Sequence, residues 1–430
     1  MRASAVLLFS VIWHVLPTSA SLNTPLSVSG RWIVDSTGAN VTYAGTNWSG
    51  DLRAMIPEGL QYASISSTVS KIKSLGMNAI RLTFATEMVD DILDNGGDVT
   101  VKESLDIALG SVNGSKVWDD IQAMNPQITE STTRLQVFDM LAAECAAQDI
   151  YIHLDNHVSK AEWCCSETDG NAWWGDTYFD VPKWKRGLEY MVEHAKTWPN
   201  YASIGLRNEP RQPEVANAEY PYTWQTWYEQ MTDAARLVHA ANADTLIFLA
   251  GLDYDTTLAP IPTGAALDSA GTVFNLSSFA FADKLVLEIH NYDTSATSCA
   301  TLASELWSDG FDALDTTDSS AIANVMPVVL TEFGFLQDST TWEGVYATCL
   351  RDWIPQIHAG WTVWTLAGSY YIREGIEDYD ETWVRTIVRF TLIKYYILTA
   401  GMLNHNWSDW RSPDAIVEGL AIMIDSSSTI

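Results

Sequence analysis

The chain is short of basic residues: its 430 residues include 24 Lys and Arg against 54 Asp and Glu, a formal net charge of −30. A protein that binds nucleic acid needs cations to neutralise phosphates, so this balance disfavours nucleic acid as a partner. The negative charge suits a neutral substrate and helps to keep a protein soluble. It carries no information about the fold.

Long apolar runs are also missing. After residue 20 no uninterrupted apolar stretch reaches about 18 residues, so we expect no membrane-spanning helix. Within the first twenty residues, an apolar run at 5–16 follows Arg2 and precedes Thr18-Ser19-Ala20, the small residues of a signal-peptidase site. We therefore expect residues 1–20 to be a signal peptide and the protein to be secreted.

Cysteines are few, and they lack the C-x-x-C spacing of many metal sites. The five are Cys145, Cys164, Cys165, Cys299 and Cys349. In an oxidising compartment they can form disulfides, and an odd number leaves one thiol free. Cys299 and Cys349 are a plausible pair, whereas Cys164 and Cys165 are expected to anchor the loop that contains them.

Five N-x-S/T sequons make the chain a candidate glycoprotein; they begin at Asn40, Asn47, Asn113, Asn275 and Asn406. We expect Asn113 to be the most exposed. Asn47 and Asn406 both lie in Asn-Trp-Ser contexts among aromatic residues, which favours a structural role for them.

Repeats, low-complexity tracts and linkers are absent, so residues 21–430 are interpreted as one domain. Residues 31–34 and 41–44 flank a turn and predict an N-terminal β-hairpin. Eight strand-like runs follow: one that ends near Trp48, then 78–85, 150–155, 203–208, 246–252, 285–290, 328–333 and 361–365. Segments of helical period alternate with them, at 67–75, 132–148, 182–198, 224–241, 301–314, 342–358 and 413–423.

Eight such units predict an α/β fold, a closed (β/α)8 TIM barrel whose active face lies at the carboxyl ends of the strands. An open doubly wound sheet is the alternative. The fifth unit is the weakest, because residues 256–281 show little helical pattern. Long loops are expected after the second and third strands, at 86–130 and 158–181, where they would shape a site.

Polar residues stand at the carboxyl end of nearly every predicted strand. The set is Arg81, His157, Asn208, Glu209, His290, Tyr292, Glu332 and Trp364. A closed barrel would bring these side chains into one cavity. Two of them are glutamates at the ends of apolar runs, where a carboxylate is expensive to bury unless it is paired or used. Glycoside hydrolysis needs such a carboxyl pair.

These motifs resemble those of glycoside hydrolase family 5, over roughly residues 28–422. Asn208-Glu209-Pro210 is similar to that family's acid/base motif, Glu332 in Thr-Glu-Phe-Gly to its nucleophile, and His290-x-Tyr292 to its sixth-strand pair. Arg81, His157 and Trp364 match the remaining family positions. The resemblance is strongest to fungal and plant sequences called cellulase-like.

The resemblance implies roles for each residue. Glu332 would be ionised, held by Arg81 and the Tyr292 hydroxyl, and would attack the anomeric carbon. Glu209 would begin protonated, because low dielectric and a negative neighbour raise a carboxyl pKa. Asn208 would bind the sugar 2-hydroxyl. His157 and His290 would orient the sugar and the acid/base, and Trp364 would stack beneath the ring.

Nineteen tryptophans offer surfaces on which sugar C–H faces could stack. The candidates in the two long loops are Trp118, Trp163, Trp173 and Trp174, with Trp173 and Trp174 favoured because glycines flank them. Packing within the loops is the alternative.

The function expected is that of a secreted, retaining endo-β-1,4-glucanase without a cofactor or metal, acting as a monomer on a polysaccharide or oligosaccharide. β-Mannanase and other β-glucanase activities stay open. Two rivals belong to other classes. One is a metal-dependent hydrolase, because His153, Asp155 and His157 alternate on one strand and could assemble a metal site with Glu209, His290 and Glu332; the other is a non-catalytic carbohydrate-binding barrel. Both glutamates are present, which disfavours the latter.

One segment departs from the resemblance. Relatives pass almost directly from an Asp-Glu-Thr-Trp segment to a Leu-Asn-His-Asn-Trp segment, whereas here residues 384–400 intervene, with no acid and three bases. Two hypotheses account for them: a translated, unspliced intron or an ordinary amphipathic helix.

Overall fold

The computed structural model describes residues 22–381 and 401–427. Eight parallel strands close into a barrel, in which the last strand pairs with the first. In chain order they are β3 (Ala44–Trp48), β4 (Ala79–Ala85), β5 (Tyr151–Val158), β6 (Tyr201–Gly205), β7 (Leu246–Ala250), β8 (Leu285–Asn291), β9 (Val328–Phe333) and β10 (Gly360–Val363). The predicted (β/α)8 barrel is confirmed, and the open sheet is not formed.

Helices connect the strands and cover the barrel. They are α1 (Ile65–Ser74), α2 (Thr86–Asn95), α3 (Val101–Met124), α4 (Arg134–Ala147), α5 (Val181–Ala195), α6 (Trp224–Ala241), α7 (Pro260–Thr263), α8 (Cys299–Asp309), α9 (Val345–Gln356) and α10 (Ala421–Ser427), with a π-helical segment at Ala415–Leu420. Side chains cap several amino ends: Asp180, for example, accepts from the Lys183 amide before α5. The weak fifth unit contains only short helices, as the sequence indicates: the single turn α7 and two 3-10 helices at Leu276–Ser278 and Ala282–Lys284.

The prediction of a long loop after the second barrel strand is wrong. Residues 86–130 form α2 and the long helix α3, which is bent at Gly110 (φ 78°). Thr100 and Glu103 form a capping box that starts α3. The glycine pair Gly96-Gly97 is typical of a loop, but it only ends α2.

The N-terminal hairpin lies earlier than predicted. Strand β1 (Ser27–Ser29) pairs with β2 (Trp32–Val34) around Gly30, whose φ of 60° suits the tight turn. Of the pairing predicted between 31–34 and 41–44, only a bridge between Val34 and Asn40 and a hydrogen bond from the Val41 amide to the Ile33 carbonyl are formed. The hairpin's Leu26 and Ile33 pack with Phe248 at the amino ends of the barrel strands, so it closes the end of the barrel opposite the predicted site.

A second hairpin, which the sequence pattern does not predict, follows the barrel's last strand. Strand β11 (Ser369–Arg373) pairs antiparallel with β12 (Ile376–Asp380). Its first strand is buried and its second is largely exposed. In the part of the chain that the structure describes, no helix is long and apolar enough to cross a membrane.

The cysteines form two disulfides. Cys299–Cys349 joins α8 to α9, as predicted, and Cys145 is a free, buried thiol. The adjacent Cys164 and Cys165 are bonded to each other.

Of the sequons, Asn113 is exposed and Asn47 is buried, as expected. Asn406 is exposed, and its Oδ1 accepts hydrogen bonds from the Ser408 amide and hydroxyl. The predicted signal peptide at 1–20 and the segment at 384–400 lie outside the described residues.

Candidate active site

The carboxyl ends of the barrel strands bring together the eight polar residues that the sequence singles out. Glu332 is at the centre of the first cluster. Its Oε1 accepts from Arg81 Nη1 at 2.6 Å, and its Oε2 accepts from the Tyr292 hydroxyl at 2.9 Å. Both predicted partners are therefore in contact with this carboxylate, which is 4% exposed.

Arg81 is fully buried and connects several of these groups. Its Nη2 donates to Asn208 Oδ1 at 2.8 Å and lies 3.0 Å from Asp155 Oδ1. Burial alone would lower the pKa of Arg81, but the neighbouring carboxylates, chiefly Asp155 and Glu332, raise it overall. A permanent cation thus faces the carboxylate of Glu332.

Glu209 lies across the cavity from Glu332. Three atoms lie within 4.8 Å of one another: a carboxylate oxygen of Glu209, a carboxylate oxygen of Glu332 and a ring nitrogen of His290. Glu209 follows the end of β6 with a left-handed backbone (φ 46°), a conformation that is uncommon for a non-glycine residue and often marks functional sites. Burial raises the pKa of its carboxyl, against the opposing effect of Arg211 and other cations.

His290 contacts the Glu209 carboxyl from the barrel interior. Its Nδ1 lies 3.1 Å from Glu209 Oε1, and its Nε2 lies 3.6 Å from Asp255 Oδ2. Burial lowers the pKa of His290 to about 3, so the ring is neutral at physiological pH. Asp255 does not stand out in the sequence because it follows β7 in a plain Asp-Tyr-Asp turn.

His157 and Trp364 form a stacked pair on the other side of the cavity. Their ring centroids are 5.2 Å apart with planes inclined by 7°. His157 Nδ1 lies 2.7 Å from Asp155 Oδ2. Burial would lower the pKa of His157, but Asp51, Asp155 and Glu332 raise it overall.

The predicted sugar platforms Trp173 and Trp174 are wrong. Both side chains are fully buried; they pack edge to face on each other, and Trp173 Nε1 donates to the Tyr220 carbonyl. Trp118 is also buried, in α3. The flanking glycines mark tight packing of the loop rather than an open surface. Trp163 is partly exposed and lies edge-on to Trp364, with centroids 6.4 Å apart.

Three groups of side chains in the described residues place potential metal ligands together: Cys164, Cys165 and Glu209; Glu209, His290 and Glu332; and Asp255, Glu288 and His290. His153, Asp155 and His157 belong to none of them. Asp155 instead pairs with Arg81 and His157, and His153 Nδ1 lies 2.8 Å from Ser203 Oγ. His153, Asp155 and His157 therefore do not form the metal site of the rival interpretation, whereas its other residues, Glu209, His290 and Glu332, do lie together.

Comparisons with known proteins agree on one family. The family model for cellulases, glycosyl hydrolase family 5, matches residues 34–369. A glycosyl hydrolase 5 family protein from Chamaecyparis obtusa is 29% identical over 96% of this chain and 68% of its own length. An endoglucanase from Paenibacillus polymyxa is 21% identical over 85% of each chain.

Solved structures share the fold. An endocellulase from Pyrococcus horikoshii, in complex with cellotetraose, superposes with a TM-score of 0.66 at 17% identity and covers 95% of this chain and 100% of its own. The catalytic domain of the major endoglucanase from Xanthomonas campestris gives a TM-score of 0.60 at 18% identity, over 94% of this chain and 100% of its own. At these identities the likeness concerns the barrel.

Proposed function

Because the chain belongs to glycosyl hydrolase family 5, the cellulase family, we propose that it cleaves internal β-1,4 linkages of a glucan with retention of configuration. The observation that carries this proposal is the pair Glu209 and Glu332, whose carboxylate oxygens come within 4.8 Å of each other. Retaining glycosidases hold their two carboxyls about 5 Å apart, whereas inverting enzymes leave room for a water between them.

In the first step, the Glu332 carboxylate attacks the anomeric carbon while Glu209 gives its proton to the glycosidic oxygen. The bond to the leaving sugar breaks, and a glycosyl ester forms on Glu332. Burial supports the starting state, because it raises the pKa of Glu209 and so keeps its proton in place.

In the second step, Glu209 removes a proton from water, and the resulting hydroxide attacks the same carbon from the side the leaving group vacated. The ester breaks and returns the Glu332 carboxylate. Esterification has removed a negative charge near Glu209, which lowers its pKa and allows it to act as a base. Two inversions give net retention.

The supporting residues have matching chemistry. The Asn208 side chain is oriented by Arg81 through its Oδ1, which leaves its amide N–H groups for a sugar hydroxyl. The Tyr292 hydroxyl holds the attacking carboxylate, and its own pKa is raised well above the usual value by burial and by Glu332, so it stays a donor.

The choice of a β-1,4-glucan is supported by the relatives named endoglucanase or endocellulase and by the chain's negative charge, which suits a neutral polymer. The test is a screen of purified enzyme on carboxymethylcellulose, mannan, laminarin and pustulan. We expect release of oligosaccharides from carboxymethylcellulose. Preferential cleavage of mannan, laminarin or pustulan would replace the substrate proposed here.

Variants of the two glutamates test the assignment of roles. We expect Glu209→Ala and Glu332→Ala each to lower the rate by roughly three orders of magnitude while circular dichroism stays unchanged. Glu214→Ala, at an exposed glutamate in the same loop as Glu209, is the matched control and should behave as wild type. Wild-type turnover by either active-site variant would contradict the mechanism.

We also propose that the protein works outside the cell. The Cys299–Cys349 disulfide suits an oxidising compartment, and the sequence at 1–20 has the pattern of a cleaved leader. Protein recovered from the medium of a eukaryotic host should begin at Ser21. Accumulation inside the cell with Met1 retained would contradict this proposal.

A further inference from the structure

The disulfide between the adjacent residues Cys164 and Cys165 lies at the edge of the active site. The Nδ2 atom of Asn208 is 3.8 Å from Cys164 Sγ and 3.6 Å from Cys165 Sγ. Both sulfurs also come within 4.8 Å of a Glu209 carboxylate oxygen. Cys164, Cys165 and Glu209 are all partly exposed residues, so the bonded sulfurs adjoin the acid/base in a part of the site that solvent reaches.

Stabilisation of the fold does not explain this bond. A disulfide stabilises mainly by closing a loop in the unfolded chain, and the effect grows with the length of that loop. Here the sequence separation is 1, against 50 for Cys299–Cys349. The constraint on the unfolded chain is therefore small.

Other contacts already hold the loop. Arg211 donates to the Ser166 carbonyl and pairs with Asp169, and its side chain is buried. The Asn171 side chain accepts from the backbone amides of Ser159 and Lys160. The anchoring that the sequence suggests for the cysteine pair is thus supplied by these residues.

The chemistry of the bonded sulfurs suits a wall beside a sugar. A disulfide has no proton to donate, carries no charge at any pH, and accepts hydrogen bonds only weakly. Among the described residues, the Asn208 amide nitrogen has only weak partners on this side: the two sulfurs and His157 Nε2 at 3.5 Å. A sugar hydroxyl would be a better acceptor, so the amide remains available for substrate.

The residue before the pair continues the same wall. Trp163 lies edge-on to Trp364, and the Arg373 guanidinium lies over its ring, 3.2 Å from the centroid. Residues 163–165 therefore line one side of the site from Trp364 to Glu209.

We propose that the Cys164–Cys165 disulfide is a substrate-contacting surface, which packs against the glucosyl unit being cleaved and excludes water from the Asn208 amide and the Glu209 carboxyl. The proposal rests on the function proposed above. It adds a binding element outside the eight polar residues that the sequence singles out. Burial of Glu209, to which the sulfurs contribute, also acts to keep its carboxyl protonated.

Kinetics on cellotetraose compare wild type, C164A/C165A and the control C299A/C349A. We expect C164A/C165A to raise KM about tenfold, as loss of apolar contacts in a sugar pocket would do, and to move the alkaline limb of kcat/KM to lower pH, because water then reaches Glu209. The control should lose thermal stability and keep both KM and the pH profile.

A second measurement uses an intact loop. In the C299A/C349A background a water-soluble phosphine can reduce only Cys164–Cys165; the phosphine is oxidised, and the disulfide takes up two electrons and two protons to give two thiols. Thiol labelling counts the product, and the same rise in KM should appear and reverse on reoxidation. This comparison replaces the double variant if that variant does not fold.

The proposal is overturned if removal of the bond, by substitution or by reduction, leaves KM within twofold of the control and does not move the alkaline limb of kcat/KM. Failure of the proposed function gives a different result, because wild type would then not cleave cellotetraose. Wild-type activity with an insensitive cysteine pair rejects this inference alone.

Discussion

Asp255 lies behind His290, on the side away from Glu209. Its Oδ1 accepts from the Gly251 amide, and its backbone carbonyl accepts from the His290 amide at 2.8 Å. Burial, followed by the nearby Glu288 carboxyl, raises the pKa of Asp255 well above its usual value. The carboxyl is therefore neutral, and its Oδ2 lies 3.6 Å from His290 Nε2, so we expect it to support the position of that ring against the acid/base.

A pair of substitutions separates shape from charge at this position. Asp255→Asn copies the neutral acid, so we expect kcat within a few-fold of wild type. Asp255→Ala removes the support of His290 and should lower kcat about tenfold. Steady-state kinetics at the pH optimum make the comparison. Equal loss in both variants would show that the ionised form of Asp255 is needed.

Glu288 is a second buried acid beneath the site, and it makes stability depend on pH. Burial raises its pKa from 4.5 to about 8, and Thr331 donates to its Oε2 at 3.0 Å. The native state holds the proton that the unfolded state releases above pH 4.5. Stability from this group is present below that pH and is lost as pH rises towards 8.

Glu288→Gln should therefore flatten the dependence of unfolding free energy on pH. The wild type should lose up to about 1.4 kcal/mol per pH unit from this group across that window, and the variant should not. Denaturant unfolding at several pH values measures the difference. Glu214→Gln, on the surface, is the control; parallel curves for wild type and Glu288→Gln would contradict the assignment.

Single residues also show where sequence reasoning ends. A strand end next to a buried run indicates a side chain's position, so the sequence alone predicts that Arg81, Glu209 and Glu332 meet in one cavity. It does not predict the burial of Trp173 and Trp174, because their exposure depends on how the loop folds back on Tyr220 and Phe179. The amino-acid composition of the loop does not show whether a tryptophan stacks on a sugar or belongs to the core.

Among the elements, α8 and α9 are joined by the Cys299–Cys349 bond. Cys349 is buried, and the bond links the first residue of α8 to the first half of α9. C299A/C349A should lower the free energy of unfolding by roughly 4 kcal/mol, the entropy of closing a loop of this length. Thermal unfolding measures it, and kcat should be unchanged. A fall in kcat without a fall in stability would contradict this role.

The main wrong prediction about an element is the long loop at 86–130, where the structure has the helices α2 and α3. The charged and polar residues of 86–130 obscure the buried face of α2, formed by Thr86, Met88, Val89 and Ile92. Long segments with an unbroken helical period of apolar residues, such as α6, are predicted to the residue. In other elements the predicted and observed ends differ by a few residues, because a capping residue or a tertiary contact determines where the element ends.

The whole molecule is a closed barrel with unequal ends. The N-terminal hairpin seals one end with Leu26 and Ile33, and the other end bears the carboxyl pair. The barrel could be predicted because eight strand–helix units admit few topologies. The β11–β12 hairpin carries only a short local signal, the turn at Glu374-Gly375, where both residues have positive φ. The contact of the Cys164–Cys165 disulfide with Asn208 could not be predicted, because it joins segments far apart in the chain.

The central claim is that Glu332 forms the covalent bond to the sugar and Glu209 supplies the proton. The most direct measurement is mass spectrometry of enzyme treated with a dinitrophenyl 2-deoxy-2-fluoro-β-cellobioside, in which fluorine slows hydrolysis of the ester and the activated leaving group allows it to form. We expect one label per molecule, on the peptide containing Glu332. A label on Glu209 or another residue, or no label together with the inverted anomer as first product, would contradict the account.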